Sequence, residues 1–129
     1  MAPDTMPTVL VVEDEEDTAS LIRFILERAQ YRVVHAENGK RAQELIGEMA
    51  PPTLVLLDVM LPFVGGLQLL PMIRAKNGWE QVPVVMLTAD SSEHDVKQAL
   101  ETGASDYIVK PFNPRELLAR LQRYIKKAA

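Results

Sequence analysis

Four short apolar runs each end at a polar residue, and that punctuation constrains the fold more than any other feature of the chain. Val9-Leu10-Val11-Val12 leads into Glu13-Asp14, and Leu54-Val55-Leu56-Leu57 stops at Asp58. Val84-Val85-Met86-Leu87 stops at Thr88, and Tyr107-Ile108-Val109 stops at Lys110-Pro111. Continuous apolar runs separated by helical patterns read as buried strands of a parallel sheet. Open sheets of this kind bind ligands outside the carboxyl ends of their strands, near the point where strand order reverses. Three carboxylates, a hydroxyl and a lysine therefore converge on one sheet edge. That set suits a divalent cation and a phosphoryl group.

Strand and helix alternate five times, which implies an α/β fold with a parallel sheet. The first helix carries an apolar face of Leu21, Ile22, Ile25, Leu26 and Ala29. The second starts near Asn38-Gly39, buries Ala42, Leu45, Ile46 and Met49, and stops at Pro51-Pro52. The third runs from about Leu67 to Lys76 and contains Pro71, so it either begins later than its apolar pattern or kinks there. The fourth has Ser92 and Asp95 in capping-box spacing, then Val96, Ala99 and Leu100, and closes at Gly103. The fifth opens with Asn113 as N-cap, Pro114 and Glu116, and presents Leu117, Leu118, Leu121 and Ile125. The segment Tyr31 to Ala36 alternates polar and apolar residues, as an edge strand should.

Size and composition narrow the function classes. One domain of 129 residues buries roughly 68% of the surface its unfolded chain exposes. A net charge of −4 argues against a nucleic-acid face, which would have to be basic. No apolar stretch approaches a membrane span, and Met1 to Pro7 lacks the regions of a signal peptide and reads as a loose tail. The absence of cysteine excludes disulfides, thiol catalysis and thiolate metal sites, and fits a cytoplasmic location. His35 and His94 lie far apart with no ligand spacing, and both are expected at the surface.

The acidic pair Glu13-Asp14, the strand-end Asp58, Thr88 followed by Ala89, and Lys110-Pro111 together resemble the receiver domain of bacterial two-component response regulators. The resemblance covers about Thr8 to Lys127, in the family's order and spacing. It implies a flavodoxin-like five-stranded sheet flanked by five helices. Its implied strand order, 2-1-3-4-5, is the one that right-handed crossovers also favour.

By this resemblance Asp58 accepts a phosphoryl group from a sensor histidine kinase or a histidine phosphotransfer protein, since a carboxylate can form an acyl phosphate. Taken alone, Asp58 reads more readily as a turn cap, and the neighbouring Glu13, Asp14 and Lys110 reverse that preference. The resemblance also implies a Mg²⁺ site, with Mn²⁺ able to substitute. Asp14 and Asp58 bind directly, Glu13 through water, and the Met60 backbone carbonyl adds an oxygen. Three clustered carboxylates need such a positive partner, because a pair 4 Å apart repels by roughly 4 kcal/mol at an effective dielectric of 20. The rest of the acidic run, Glu15 to Asp17, is explained by the helix dipole alone.

Lys110 is expected to pair with Asp58 and then with the phosphoryl oxygens, across a cis bond to Pro111. Thr88 and Tyr107 form the implied switch, although Tyr107 reads also as a half-buried strand residue. The family catalyses only its own phosphorylation and dephosphorylation, and signals to a downstream output protein or domain through its fourth helix, fifth strand and fifth helix.

Rival classes fit less well. A flavodoxin-like electron carrier needs a hydroxyl- and glycine-rich loop where Glu13 to Asp17 stands, and a nucleotide hydrolase needs a glycine-rich loop ending in Lys-Ser or Lys-Thr. An aspartate-based phosphatase usually carries a second aspartate where this chain has Met60. The stretch Lys110 to Leu121 is similar to receivers of winged-helix transcription factors, which dimerise when phosphorylated. Asp106, Glu116 and Arg120 match that charged face, but Val96 and Ser105 depart from it. A monomer is therefore expected, with at most a weak homodimer after phosphorylation.

Overall fold

Strands whose side chains are apolar on both faces need cover on both faces, and the chain supplies it by returning each strand through a helix. The structure is a computed structural model describing residues 6–61, 64–89 and 93–128. Its elements are β1 (Thr8–Val12), α1 (Glu16–Arg28), β2 (Arg32–Ala36), α2 (Gly39–Glu48) and β3 (Leu54–Asp58). There follow α3 (Gly66–Ala75), β4 (Val84–Thr88), α4 (Glu93–Thr102), β5 (Asp106–Val109) and α5 (Pro114–Ala128). All strands pair in parallel in the order β2-β1-β3-β4-β5, the arrangement expected from the sequence. The order reverses between β1 and β3, where Val12 lies opposite Leu57.

Alternation along the strands divides the core into two layers. Leu10, Val12, Val55, Leu57, Val84 and Met86 face Ile46 of α2, Leu69, Leu70 and Ile73 of α3, and Ala99 of α4. Val9, Val11, Leu54, Leu56, Val85 and Leu87 face Ile22 and Leu26 of α1 and Leu117, Leu121 and Ile125 of α5. Among the described residues no helix is long and apolar enough to cross a membrane.

Local signals set most helix ends. The Asn38 side chain accepts from Arg41 N at 2.8 Å, and that of Asn113 from Arg115 N at 2.8 Å. Gly103 closes α4 at φ +124°, a conformation that side chains rarely adopt. Helix α3 begins at Gly66 and runs through Pro71, so it does not start late. Pro71 lies on the exposed side of the helix. Leu21 and Leu100, expected inside, are 42% and 43% exposed. The buried stripe of α1 is instead Ala19, Ile22, Ile25 and Leu26. Ser92 of the expected cap lies outside the described residues, as do Met1 to Thr5 and the side chains of Asp95 and His94. Pro7, assigned to the loose tail, is tied in, its carbonyl accepting from Arg32 N at 2.8 Å.

Two features behind the sheet were not foreseen. Trp79 is buried after α3. Arg74 spends its guanidinium on carbonyls, donating to Gly103 O at 2.8 and 3.1 Å, to Val82 O at 2.8 Å and to Trp79 O at 3.3 Å. It thereby fastens the end of α3 to the turn between α4 and β5.

The start of α3 lies against the end of β3. A Cβ added to Gly66 would stand 2.2 Å from Asp58 O and 2.9 Å from Val59 Cα, both backbone atoms that cannot step aside alone. Gly66→Ala should therefore destabilise the fold by about 1–3 kcal/mol, the usual range for overpacking. Urea denaturation measures this; a variant as stable as the wild type would contradict so close an approach.

Candidate functional site

Sheet geometry brings the ends of β1, β3, β4 and β5 to one edge, and extra backbone bonds lace them together beyond the ladders. Val59 N donates to Leu87 O at 2.9 Å, and Lys110 N to Thr88 O at 2.7 Å. Asp58, at the end of β3, is 3% exposed. Its Oδ1 accepts from Met60 N at 2.9 Å, and its Oδ2 accepts from Lys110 Nζ at 2.9 Å. Both oxygens are thus aimed by the protein. The Lys110–Pro111 peptide is cis.

Lys110 also reaches Glu13, a contact the sequence reading did not anticipate. Its Nζ lies 2.9 Å from Glu13 Oε1, while Oε2 accepts from Glu15 N at 3.0 Å. The Oε1 contact has the distance of an ion pair without the direction of a hydrogen bond, so this fully buried oxygen has no hydrogen-bond partner. Asp14 is exposed beside it, and Glu13, Asp14 and Asp58 each offer a carboxylate oxygen within 4.8 Å of the others.

Burial pushes the Glu13 carboxyl up from 4.5 to about 7, and the neighbouring Asp58 adds to the rise against the lowering pull of Lys110 and the Glu15 amide. Burial would lower the Lys110 ammonium, but Glu13 and Asp58 together outweigh it and raise it above its ordinary value. The two outcomes are consistent. The lysine side chain keeps 23% of its surface in water and the glutamate keeps none, so desolvation wins only for the glutamate. With all groups ionised, three carboxylates face one ammonium. A hard divalent cation on oxygen ligands fits that charge imbalance.

Thr88 and Tyr107 occupy the flank of this site. Thr88 is 6% exposed at the end of β4, one residue beyond Leu87, which lies opposite Asp58. Tyr107 is half-buried on β5 opposite Met86, and its carbonyl accepts from Arg120 Nη1 at 2.7 Å. Arg120 also bonds Asp106 at 3.3 Å, so two of the three charges expected on a dimer face are paired within the chain. Glu116 is exposed in the first turn of α5. His35 corrects the expectation of a surface histidine. It is half-buried, and its Nε2 lies 2.8 Å from the Glu13 carbonyl oxygen.

A family model described as the response regulator receiver domain matches residues 9–122. The phosphate regulon transcriptional regulatory protein PhoB of Pseudomonas aeruginosa is 41% identical over 93% of this chain and 52% of its own length. The chain thus spans about half the length of the curated relatives it matches. The chemotaxis response regulator CheY4 of Vibrio cholerae superposes with a TM-score of 0.88 at 30% identity, covering 93% of this chain and 99% of that one. The receiver domain of a sensor histidine kinase from Pseudomonas aeruginosa, solved with a magnesium ion coordinated in the active-site cleft, gives 0.86 at 31% identity, over 95% and 99%.

The raised Glu13 carboxyl has a consequence for stability. The folded protein holds a proton that the unfolded chain releases, so stability falls as pH climbs from about 4.5 to about 7 and levels off above. The cost at neutral pH is on the order of 3 kcal/mol. Urea denaturation in EDTA at about pH 5 and about pH 8 should show this loss in the wild type, and Glu13→Gln should lack it. Equal slopes in both proteins would show that Glu13 titrates normally.

Proposed function

The chain belongs to the family of response regulator receiver domains of two-component signalling systems, and we propose that Asp58 is the residue on which it carries the phosphoryl group. The observation that supports this assignment is the double restraint of a buried carboxylate, by Met60 N on one oxygen and Lys110 on the other. Such restraint sets the direction of attack before a donor arrives.

A Mg²⁺ ion held by Asp14, Asp58 and the Met60 carbonyl, with Glu13 supporting it through water, would polarise the phosphoryl oxygens and offset their charge. The protein's own part is as follows. An Asp58 oxygen attacks the phosphorus of a phosphohistidine, the P–O bond forms, and the P–N bond breaks with its electron pair leaving on the imidazole. Lys110 transfers its hydrogen bond from Asp58 to the phosphoryl oxygens, and its charge stays in place throughout. The Thr88 hydroxyl donates to another of those oxygens. Its movement frees space into which Tyr107 rotates, and the surface of α4, β5 and α5 changes with it. Hydrolysis by water at the same site returns the resting state.

The donor is a sensor histidine kinase or a histidine phosphotransfer protein, and the signal passes to a downstream output protein or domain, all in the cytoplasm. The transcriptional regulators among the relatives support an output of that kind.

Incubation with acetyl phosphate and Mg²⁺ should add one phosphoryl mass in intact mass spectrometry, removable by hydroxylamine and absent in Asp58→Ala. Under the same conditions the amide NMR signals of Tyr107 and α4 should shift in the wild type and remain fixed in the variant. Persistence of the label in Asp58→Ala would overturn the acceptor assignment. A labelled wild type with unchanged Tyr107 signals would overturn the switch.

A further inference from the structure

The acidic loop after β1 is held by more than its own helix. Glu13 is restrained at three atoms: its N donates to Ala36 O at 3.1 Å, its Oε2 accepts from Glu15 N at 3.0 Å, and its carbonyl oxygen lies 2.8 Å from His35 Nε2. A carbonyl oxygen only accepts, so Nε2 carries the hydrogen. The register places His35 opposite Val11, two residues before Glu13, so the ring reaches forward from the edge strand to the loop. Ala36 O, the other anchor from β2, is its chain neighbour.

We propose that His35 is a positioning residue for the cation site: by donating to the Glu13 carbonyl, it fixes the planar Glu13–Asp14 peptide and with it the carboxylate of Asp14. The peptide plane carries the restraint, because orienting the carbonyl orients the amide and Cα of the next residue. Asp14 needs an external anchor more than its neighbours do. Asp58 and Glu13 are buried and held through their side chains, whereas Asp14 is exposed. His35 and Asp14 also line one cleft of about 370 Å³, with Glu16, Ser20, Arg23 and Glu37. Groups that orient a metal ligand commonly change metal affinity by about 10–100-fold when removed. With a single exposed ligand affected, the lower end of that range applies.

This inference rests on the Mg²⁺ reading above, and the experiment separates the two. Calorimetric Mg²⁺ titration of the unphosphorylated protein is compared for wild type, Asp14→Ala, His35→Leu and His35→Gln. Glutamine keeps an N–H donor at similar reach and leucine has none. His35→Leu should weaken Mg²⁺ binding about tenfold, and His35→Gln should recover most of the loss. Phosphorylation by acetyl phosphate should need correspondingly more Mg²⁺ in His35→Leu, yet reach the wild-type rate at saturation. A merely structural role would lower the melting temperature without moving the Mg²⁺ midpoint. If His35→Leu does not fold, His35→Asn, too short to reach the carbonyl, replaces it. Wild-type affinity in His35→Leu, or a Gln variant no better than Leu, would overturn the inference. Mg²⁺ binding undiminished in Asp14→Ala would overturn the cation reading itself.

Discussion

One ammonium stands between two buried carboxylates, and the rest of the site is arranged around that shortage of positive charge. Lys110 Nζ lies 2.9 Å from an oxygen of Glu13 and 2.9 Å from an oxygen of Asp58. A buried ion pair rarely adds stability, because desolvation cancels most of the attraction. Here the balance is worse, with Asp14 as a third acid in the cluster. Burial answers part of the imbalance by keeping Glu13 protonated toward neutral pH. The remaining imbalance would be offset by a cation beside the three carboxylates, which would also offset the charge of a phosphoryl group.

Holding so unfavourable a cluster together falls to the scaffold. The two apolar layers fix the strands, and the backbone bonds from Val59 to Leu87 and from Lys110 to Thr88 extend the sheet past its ladders up to the acidic edge. Gly66 lets α3 start directly against the Asp58 backbone. On the output side, Arg74 ties the α4–β5 turn to α3 and Arg120 ties β5 to α5. Tyr107 therefore lies between two anchored points.

Much of this was legible in the sequence, and the reason is physical. The strands are covered on both faces, so each is a continuous apolar run, and a run that stops at a charge marks a strand end at the site edge. Asp58, Thr88 and Lys110 could be placed by that signal alone. The partial misses are of another kind. Leu21 and Leu100 fit a helical period but face water, because a period does not say how wide the covering neighbour is. The contacts of Lys110 with Glu13, of His35 with the Glu13 carbonyl and of Arg74 with the Gly103 carbonyl join residues far apart in the chain. They depend on strand register and loop path, which leave no local pattern. His35 would have emerged once β2 was set opposite β1 in register.

Lys110 is proposed to serve first the carboxylates of Glu13 and Asp58 and then the phosphoryl group. A crystal structure of the protein with Mg²⁺ and beryllofluoride tests it most directly. The expected result is beryllium bonded to an Asp58 oxygen, with Lys110 Nζ moved from that carboxylate to a fluorine atom. Beryllofluoride on another residue, or a lysine that keeps its contact with Asp58 Oδ2 while the mimic is bound, would contradict it.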